Sequence, residues 1–248
     1  MNENHYNYYS SANSHPRQFR LSRKRAREMG RERLHPSLRD PDYLVLRERK
    51  KLFARWVRTL KKRVPLVLDI GGRLQPYRPM IEDRIERYIA IDPILEGLAD
   101  VVAVGERLPF RDASFDAVIC TQVLTYARSP EQLVSEIYRV LKPGASLFLT
   151  APALMPRYHD EFWRFLPNGL KILMSRFSHI EISPEGHSIS GFCRTINLCQ
   201  NISVEIEWAR RILSVTTIPI LNLAGRLLDG LSRGNNQFTV NFAVMTVK

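Results

Sequence analysis

Cysteine is scarce: three residues in 248, Cys120, Cys193 and Cys199, odd in number and without CxxC spacing. That pattern supports neither a disulfide framework nor a zinc site, so no metal is expected and a reduced, cytoplasmic compartment fits. Long apolar runs are missing too. No stretch of about 18 uncharged apolar residues occurs, so no membrane span is expected. The polar opening MNENHYNYYSSANSHPRQ, which carries Glu3, does not read as a signal peptide. Acidic residues are thin at one end of the chain. Residues 1–63 hold 18 of the 37 Lys and Arg but 6 of the 25 Asp and Glu, which leaves the remainder balanced and puts the whole net charge of +12 in that quarter. A polyanionic partner should meet it first. No internal repeat is apparent.

What is present divides the chain into zones. Residues 1–41 are rich in Asn, Ser, Tyr and Arg without a sustained apolar period and read as a disordered basic tail, with RLSRKRAREMGRERLHP at most a short basic helix. Over 42–63, Leu46, Phe53, Trp56, Val57 and Leu60 recur near helical spacing with Lys and Arg between them. This predicts a basic amphipathic helix, either packed on the body with a solvated cationic face or lying on an anionic membrane or nucleic acid. Residues 64–248 alternate strand-like and helix-like segments, which argues for an α/β domain built on a mostly parallel sheet. PLVLDI, RYIAIDP, DVVAV, SFDAVICTQVL, ASLFLTAP and HIEISPEG read as strands, and QFTVNFAVMTVK closes the chain as a seventh. SPEQLVSEIYRVLKPG is a helix with Ser129 as cap and Pro130 in its first turn. Another helix starts near Pro167, and a helical insertion covers about 190–235.

In open α/β sheets ligands bind beyond the carboxyl ends of the strands. Asp69, Gly71 and Gly72 end the first strand, and Asp92 ends the second at a spacing close to that at which an acid reaches a ribose diol. Glycines there allow a ligand to touch backbone. No third glycine opens a phosphate-binding helix, so an NAD-linked oxidoreductase ranks last.

The run GERLPFRDASFDAVICTQVLTYARSPEQLVSEIYRVLKPGASLFLTAP, with VLDIGG and YIAIDP before it, resembles the class I S-adenosylmethionine-dependent methyltransferases over about residues 64–152. The resemblance implies a doubly wound, Rossmann-like sheet of seven strands with an antiparallel C-terminal strand, and S-adenosyl-L-methionine as cofactor. It assigns Asp69, Gly71 and Gly72 to the methionine part of the cofactor and Asp92 to the ribose hydroxyls. Glu106, Arg107 and Leu108 would lie beside the adenine, and Cys120 to Gln122 along the floor. Arg73 and Gln75 stand where the family has later glycines, Val104 where it has an acid, Leu124–Tyr126 where it has LEH, and Ala145 where it repeats glycine. A non-catalytic scaffold is the alternative these departures motivate.

The loop after the fifth strand, ALMPRYHDEFWRFLPNGL, should face the acceptor. His159 beside Asp160 offers a base with an orienting carboxylate. Arg157 and Arg164 could bind an anionic acceptor, and Trp163 with Phe162 offers flat apolar faces for a sugar ring. HDEFWRFLPNGL and DIGGRLQPYR resemble a methyltransferase subgroup of bacterial surface-polysaccharide and glycolipid pathways, which implies a small-molecule or lipid-linked saccharide acceptor and work at the inner face of the membrane. An RNA methyltransferase gripping through the basic N-terminal region is the other enzymatic reading, weakened because TQVL replaces any NPPY-like tetrad after strand four. Over the insertion, ILSVTTIPILNLAG is uncharged but interrupted by Pro219, which reads as a helical cap over the acceptor or as a segment dipping into a bilayer surface.

Overall fold

The computed structural model describes residues 21–156 and 160–248. The apolar runs become β1 (Val64–Ile70), β2 (Ile85–Asp92), β3 (Val101–Val102), β4 (Phe115–Thr121), β5 (Leu141–Pro152), β6 (Ser178–Pro184) and β7 (Asn241–Val247). They form one seven-stranded sheet in the order β3-β2-β1-β4-β5-β7-β6. β1 pairs parallel with β2 and β4, and β4 with β5, while β7 runs antiparallel between β5 and β6. Strand order reverses between β1 and β4, so the crevice opens at their carboxyl ends. This is the sheet the sequence predicted, including its antiparallel last strand.

Seven helices accompany it among the described residues: α1 (Arg23–Leu34), α2 (Tyr43–Thr59), α3 (Pro130–Val140), α4 (Pro167–Leu173), α5 (Ser188–Ser203), α6 (Glu207–Val215) and α7 (Thr217–Leu228). α3 begins as expected, with the Ser129 hydroxyl accepting from the Gln132 amide and Pro130 in the first turn. Its Leu133, Val134 and Ile137 join Leu170 and Met174 of the α4 region on one sheet face. On the other face α2 lays Phe53, Trp56 and Val57 against Val67, Ile119 and Phe148. The Phe53 and Phe148 rings meet edge to face at 5.1 Å, and Trp56 Nε1 donates to Ser146 Oγ at 2.6 Å. The β1–β2 connection holds no α-helix. It runs through two short 3-10 turns, Arg78–Met80 and Glu82–Arg84, in a stretch where Pro76 and Pro79 lack the amide donors a helix needs. α2, supplied from before β1, covers the face left open.

Two expectations change, and one alternative is decided. The basic tail ends earlier than residue 41: α1 is a capped helix that buries Ala26, Met29, Gly30 and Leu34, with Ala26 and Met29 packed on Leu21 and Leu98. Residues 1–20 lie outside the described residues. The apolar stripe of 42–63 is buried on the sheet, which is the packed-helix alternative. The insertion packs on the start of α2, with Leu44 and Tyr43 against Cys193, and it reaches the loop after β5 through Arg194, 4.0 Å from Met155 Sδ. Within it, Glu207–Ser232 is long and apolar enough by length and composition to cross a membrane, although no fully uncharged run of that length exists.

Candidate active site at the carboxyl ends of the strands

The glycines hold the exit of β1 tight against its neighbours. Gly71 sits at φ +76°, where a Cβ would lie 2.4 Å from Val123 Cγ2, and its amide donates to the Ile91 carbonyl at 2.9 Å. A Cβ on Gly72 would lie 2.7 Å from Asp69 Oδ2 and 2.8 Å from Ala90 Cβ. Both positions therefore demand glycine, one for its dihedral and both for space. Gln75, which stands in place of a family glycine, still takes the left-handed conformation at φ 46°. Two side-chain hydrogen bonds hold it there: Nε2 donates to the Leu98 carbonyl at 2.7 Å, and Oε1 accepts from Arg78 Nη1 at 3.1 Å.

Two buried acids end the first two strands. Asp69 is 4% exposed and accepts from Tyr88 Oη at 2.7 Å. Burial pushes its carboxyl up to about 7, with the Tyr88 hydrogen bond opposing and the charge of Asp92 adding. Asp92 is 9% exposed, and it too is raised by burial, against the charge of Arg73 and the amide of Ile94 at 3.0 Å. Anions in such surroundings are under-compensated, and a cationic ligand would relieve both. Because Asp69 binds its proton more tightly in the folded chain than the usual carboxylate value near 3.9, folding loses stability as pH rises from about 4 to about 7. Asp69→Asn is expected to remove a loss on the order of 4 kcal/mol over that window. Urea midpoints for both proteins across the range test this, and parallel curves would refute it.

The other expected cofactor residues divide by environment. Glu106 Oε1 accepts from the Arg128 amide at 2.8 Å and ties the turn after β3 to the start of α3. Arg107 is exposed, and its amide donates to the Val104 carbonyl at 3.1 Å. Leu108 and Cys120 turn their side chains into the main core, Leu108 from the loop after β3 and Cys120 from β4, and burial raises the Cys120 thiol above its ordinary range. Gln122 adopts φ 60° and donates through Nε2 to Thr150 Oγ1 at 3.0 Å, which turns the chain sharply at the end of β4.

On the acceptor side, Arg157 and His159 lie outside the described residues, and Asp160 is exposed. Trp163 donates through Nε1 to the Ala127 carbonyl at 2.9 Å and keeps 42% of its surface exposed. Phe162 is more exposed, and its amide donates to the Thr125 carbonyl at 2.9 Å. Arg164 does not wait for an anion. It pairs with Glu161, donates to the Pro156 carbonyl at 3.2 Å and to Thr125 Oγ1 at 3.3 Å, so it fixes the loop to itself. Thr125, buried, is the hub that sequence reasoning missed: its hydroxyl donates to the Trp163 carbonyl while its own carbonyl holds the next turn of the loop. The signal was the change from LEH to LTY. α1 was missed as well. The Leu21 amide donates to Glu96 Oε2 at 3.3 Å, the Gly97 amide to the Leu21 carbonyl at 2.9 Å, and a Cβ on Gly30 would lie 2.4 Å from the Leu74 carbonyl oxygen. The N-terminal helix thus forms one wall of the loops after β1 and β2.

These residues fit S-adenosylmethionine. Glycine backbone that no Cβ obstructs, two under-compensated carboxylates and no phosphate-binding helix suit a cationic, phosphate-free nucleoside. Residues 68–149 match the methyltransferase domain family. Over 108 residues the chain is 30% identical to an uncharacterised protein of Methanocaldococcus jannaschii, which covers 41% of this chain and 53% of that one. Over 113 residues it is 29% identical to the thiol S-methyltransferase TMT1B of Rattus norvegicus, covering 42% and 46% respectively. The chain therefore spans about half the length of these curated relatives. Its fold superposes on a SAM-dependent methyltransferase from Archaeoglobus fulgidus with a TM-score of 0.52 at 15% identity, over 89% of this chain and 99% of that one. The matched segment, residues 68–149, thus carries the likeness to the methyltransferase domain family, and the seven-stranded sheet around it has the fold of the S-adenosylmethionine-dependent methyltransferases.

Proposed function

We propose that the chain transfers a methyl group from S-adenosylmethionine to a hydroxyl of a saccharide or glycolipid-like acceptor, an O-methylation in surface-polysaccharide biosynthesis on the cytoplasmic side of the membrane. The observation that carries the acceptor class is the pair Phe162 and Trp163. They are exposed aromatic faces held beside the end of β4 by Thr125 and Ala127, the kind of surface on which a sugar ring stacks. When bound, the cofactor supplies a methyl group on a cationic sulfur whose departure is already activated. The chain has then to hold donor and acceptor in line and keep water out, which can account for up to about 7–11 kcal/mol of the barrier. In this reading Asp69, Gly71 and Gly72 cradle the amino-acid end of the donor, and Asp92 receives the ribose hydroxyls, with the charge of Arg73 opposing the burial that raises its carboxyl. Glu106 and Arg107 border the base. A hydroxyl acceptor gives up its proton to His159, a role that rests on the sequence, with Asp160 as its neighbour.

Calorimetric titration with S-adenosylhomocysteine tests the donor site. The natural chain is expected to bind, and Asp92→Ala to bind roughly 10–100-fold more weakly, the size of losing hydrogen bonds to a charged group. Equal affinities would remove Asp92 from the site, and no binding by the folded natural chain would favour a scaffold. Transfer assays on saccharide and glycolipid hydroxyls then test the acceptor independently. Binding of the donor product without transfer to any of them would overturn the acceptor class alone.

A further inference from the structure

Apolar surface is left uncovered on α6 and α7. On α6, Trp208, Ile212 and Val215 fall on one stripe at helical spacing, all three exposed, and the helix buries no residue. On α7, Ile220, Leu223 and Leu227 form a second exposed stripe. The opposite face of α7 is fastened to the body. Asn222 Nδ2 donates to the Leu38 and Asp40 carbonyls at 2.8 Å each, and a Cβ on Gly225 would lie 2.6 Å from Leu44 Cδ1. The chain also bends between the two helices at Thr216, with φ −117° and ψ −84°. A segment tied down along one side and bent in the middle cannot thread a bilayer, so its hydrophobicity is spent on a surface. Beside Leu227 opens a cleft of about 320 Å³ whose lining includes Arg47, Lys51, Arg226 and Arg233. Two carboxylates face these four cations. Glu48 is shared between Arg47 and Lys51 at 2.6 and 2.7 Å, and Asp229 is engaged by the amides of His187 and Ser190. The cleft is therefore net cationic at the edge of an apolar ridge.

We propose that α6, α7 and this cleft are a docking surface for an anionic lipid bilayer, with the ridge entering the boundary between headgroups and acyl chains and the cleft receiving lipid phosphates. Hydrophobic stripes flanked by arginines match that layered chemistry, apolar inside and negative at the rim. The inference stands apart from the identity of the methyl acceptor.

Flotation of the full chain with phosphatidylcholine vesicles, with and without phosphatidylglycerol, is the test. Binding is expected on the mixed vesicles, to weaken as salt rises, and to be lost in Ile212→Glu/Leu227→Glu. Arg226→Gln/Arg233→Gln should weaken it by roughly tenfold or more. In the natural chain Trp208 emission should shift to the blue on binding, and Trp208→Phe should remove the shift, a readout that does not depend on the charged variant folding. Failure to float with either vesicle, or flotation unchanged in the folded glutamate variant, would overturn the proposal. So would self-association in light scattering that the glutamate variant abolishes while the natural chain ignores vesicles, since the ridge would then be an interface between copies.

Discussion

Glu185→Ala is expected to lower the free energy of unfolding by about 3–5 kcal/mol, a large part of the stability of a domain this size. Arg49 donates from Nε and Nη2 to the two Glu185 oxygens at 2.7 Å each, and the two side chains are 5% and 0% exposed. Asn241 Nδ2 adds a third hydrogen bond to Glu185 at 3.0 Å. Burial opposes the charge on Arg49, and Glu185 together with Tyr77 more than offsets it. Removing the carboxylate therefore strands a guanidinium where water cannot reach it, and the first half of α2, the end of β6 and the start of β7 lose their common tie. Arg49→Met/Glu185→Leu should regain most of the loss, because an apolar pair of similar volume avoids the desolvation that the ion pair has to overcome. Chemical denaturation followed by circular dichroism measures all three proteins. A single variant within about 1 kcal/mol of the natural chain would show that the pair is not sequestered as the structure has it.

Gly71→Ala should weaken S-adenosylhomocysteine binding by roughly 10–100-fold while leaving the sheet folded. Two separate costs produce this. An alanine at φ +76° pays about 1–2 kcal/mol for its left-handed backbone, and its methyl would lie 2.4 Å from Val123 Cγ2, so the turn after β4 has to move. That turn carries Thr125, which holds the aromatic loop, so the displacement should reach the acceptor side as well. Val123→Ala added to Gly71→Ala relieves the contact but not the dihedral, and should restore part of the affinity. Titration of the three proteins separates the two effects. Affinity unchanged within about threefold in the single variant would mean that the ligand does not depend on this backbone.

The placement of glycines and acids at the ends of the first two strands was legible in the sequence because its determinants are local. A strand followed directly by Asp-Ile-Gly-Gly, and a second strand ending in an acid, place their side chains by strand geometry alone. Seven strands were readable for the same reason: apolar runs of strand length bounded by turn residues constrain the backbone without help from afar. The amphipathic period of 42–63 likewise announced a helix and its buried stripe. Gln75 lies between the two cases. Its replacement of a glycine was visible, but the left-handed backbone survives through hydrogen bonds to Leu98 and Arg78 that no local pattern signals.

The rest depended on contacts distant in the chain. α1 looked like tail because its apolar stripe is thin, and it is ordered against loops about 75 residues later, as in the bond from Leu21 to Glu96. Arg164 looked like an anion receptor until the fold set it beside Glu161 and Thr125. The apolar insertion could have been a cap or a segment on a bilayer surface, since hydropathy counts residues and not their neighbours. Its docking on Leu44, Leu38 and Asp40 leaves a ridge facing outward. The amino-acid order alone was enough for the strands and for the glycines and acids at their ends, where backbone propensity and side-chain alternation act over a few residues. Which charges are paired, which helix walls the site and which hydrophobic face stays bare are settled by long-range packing, where each group's energy depends on what happens to be brought against it.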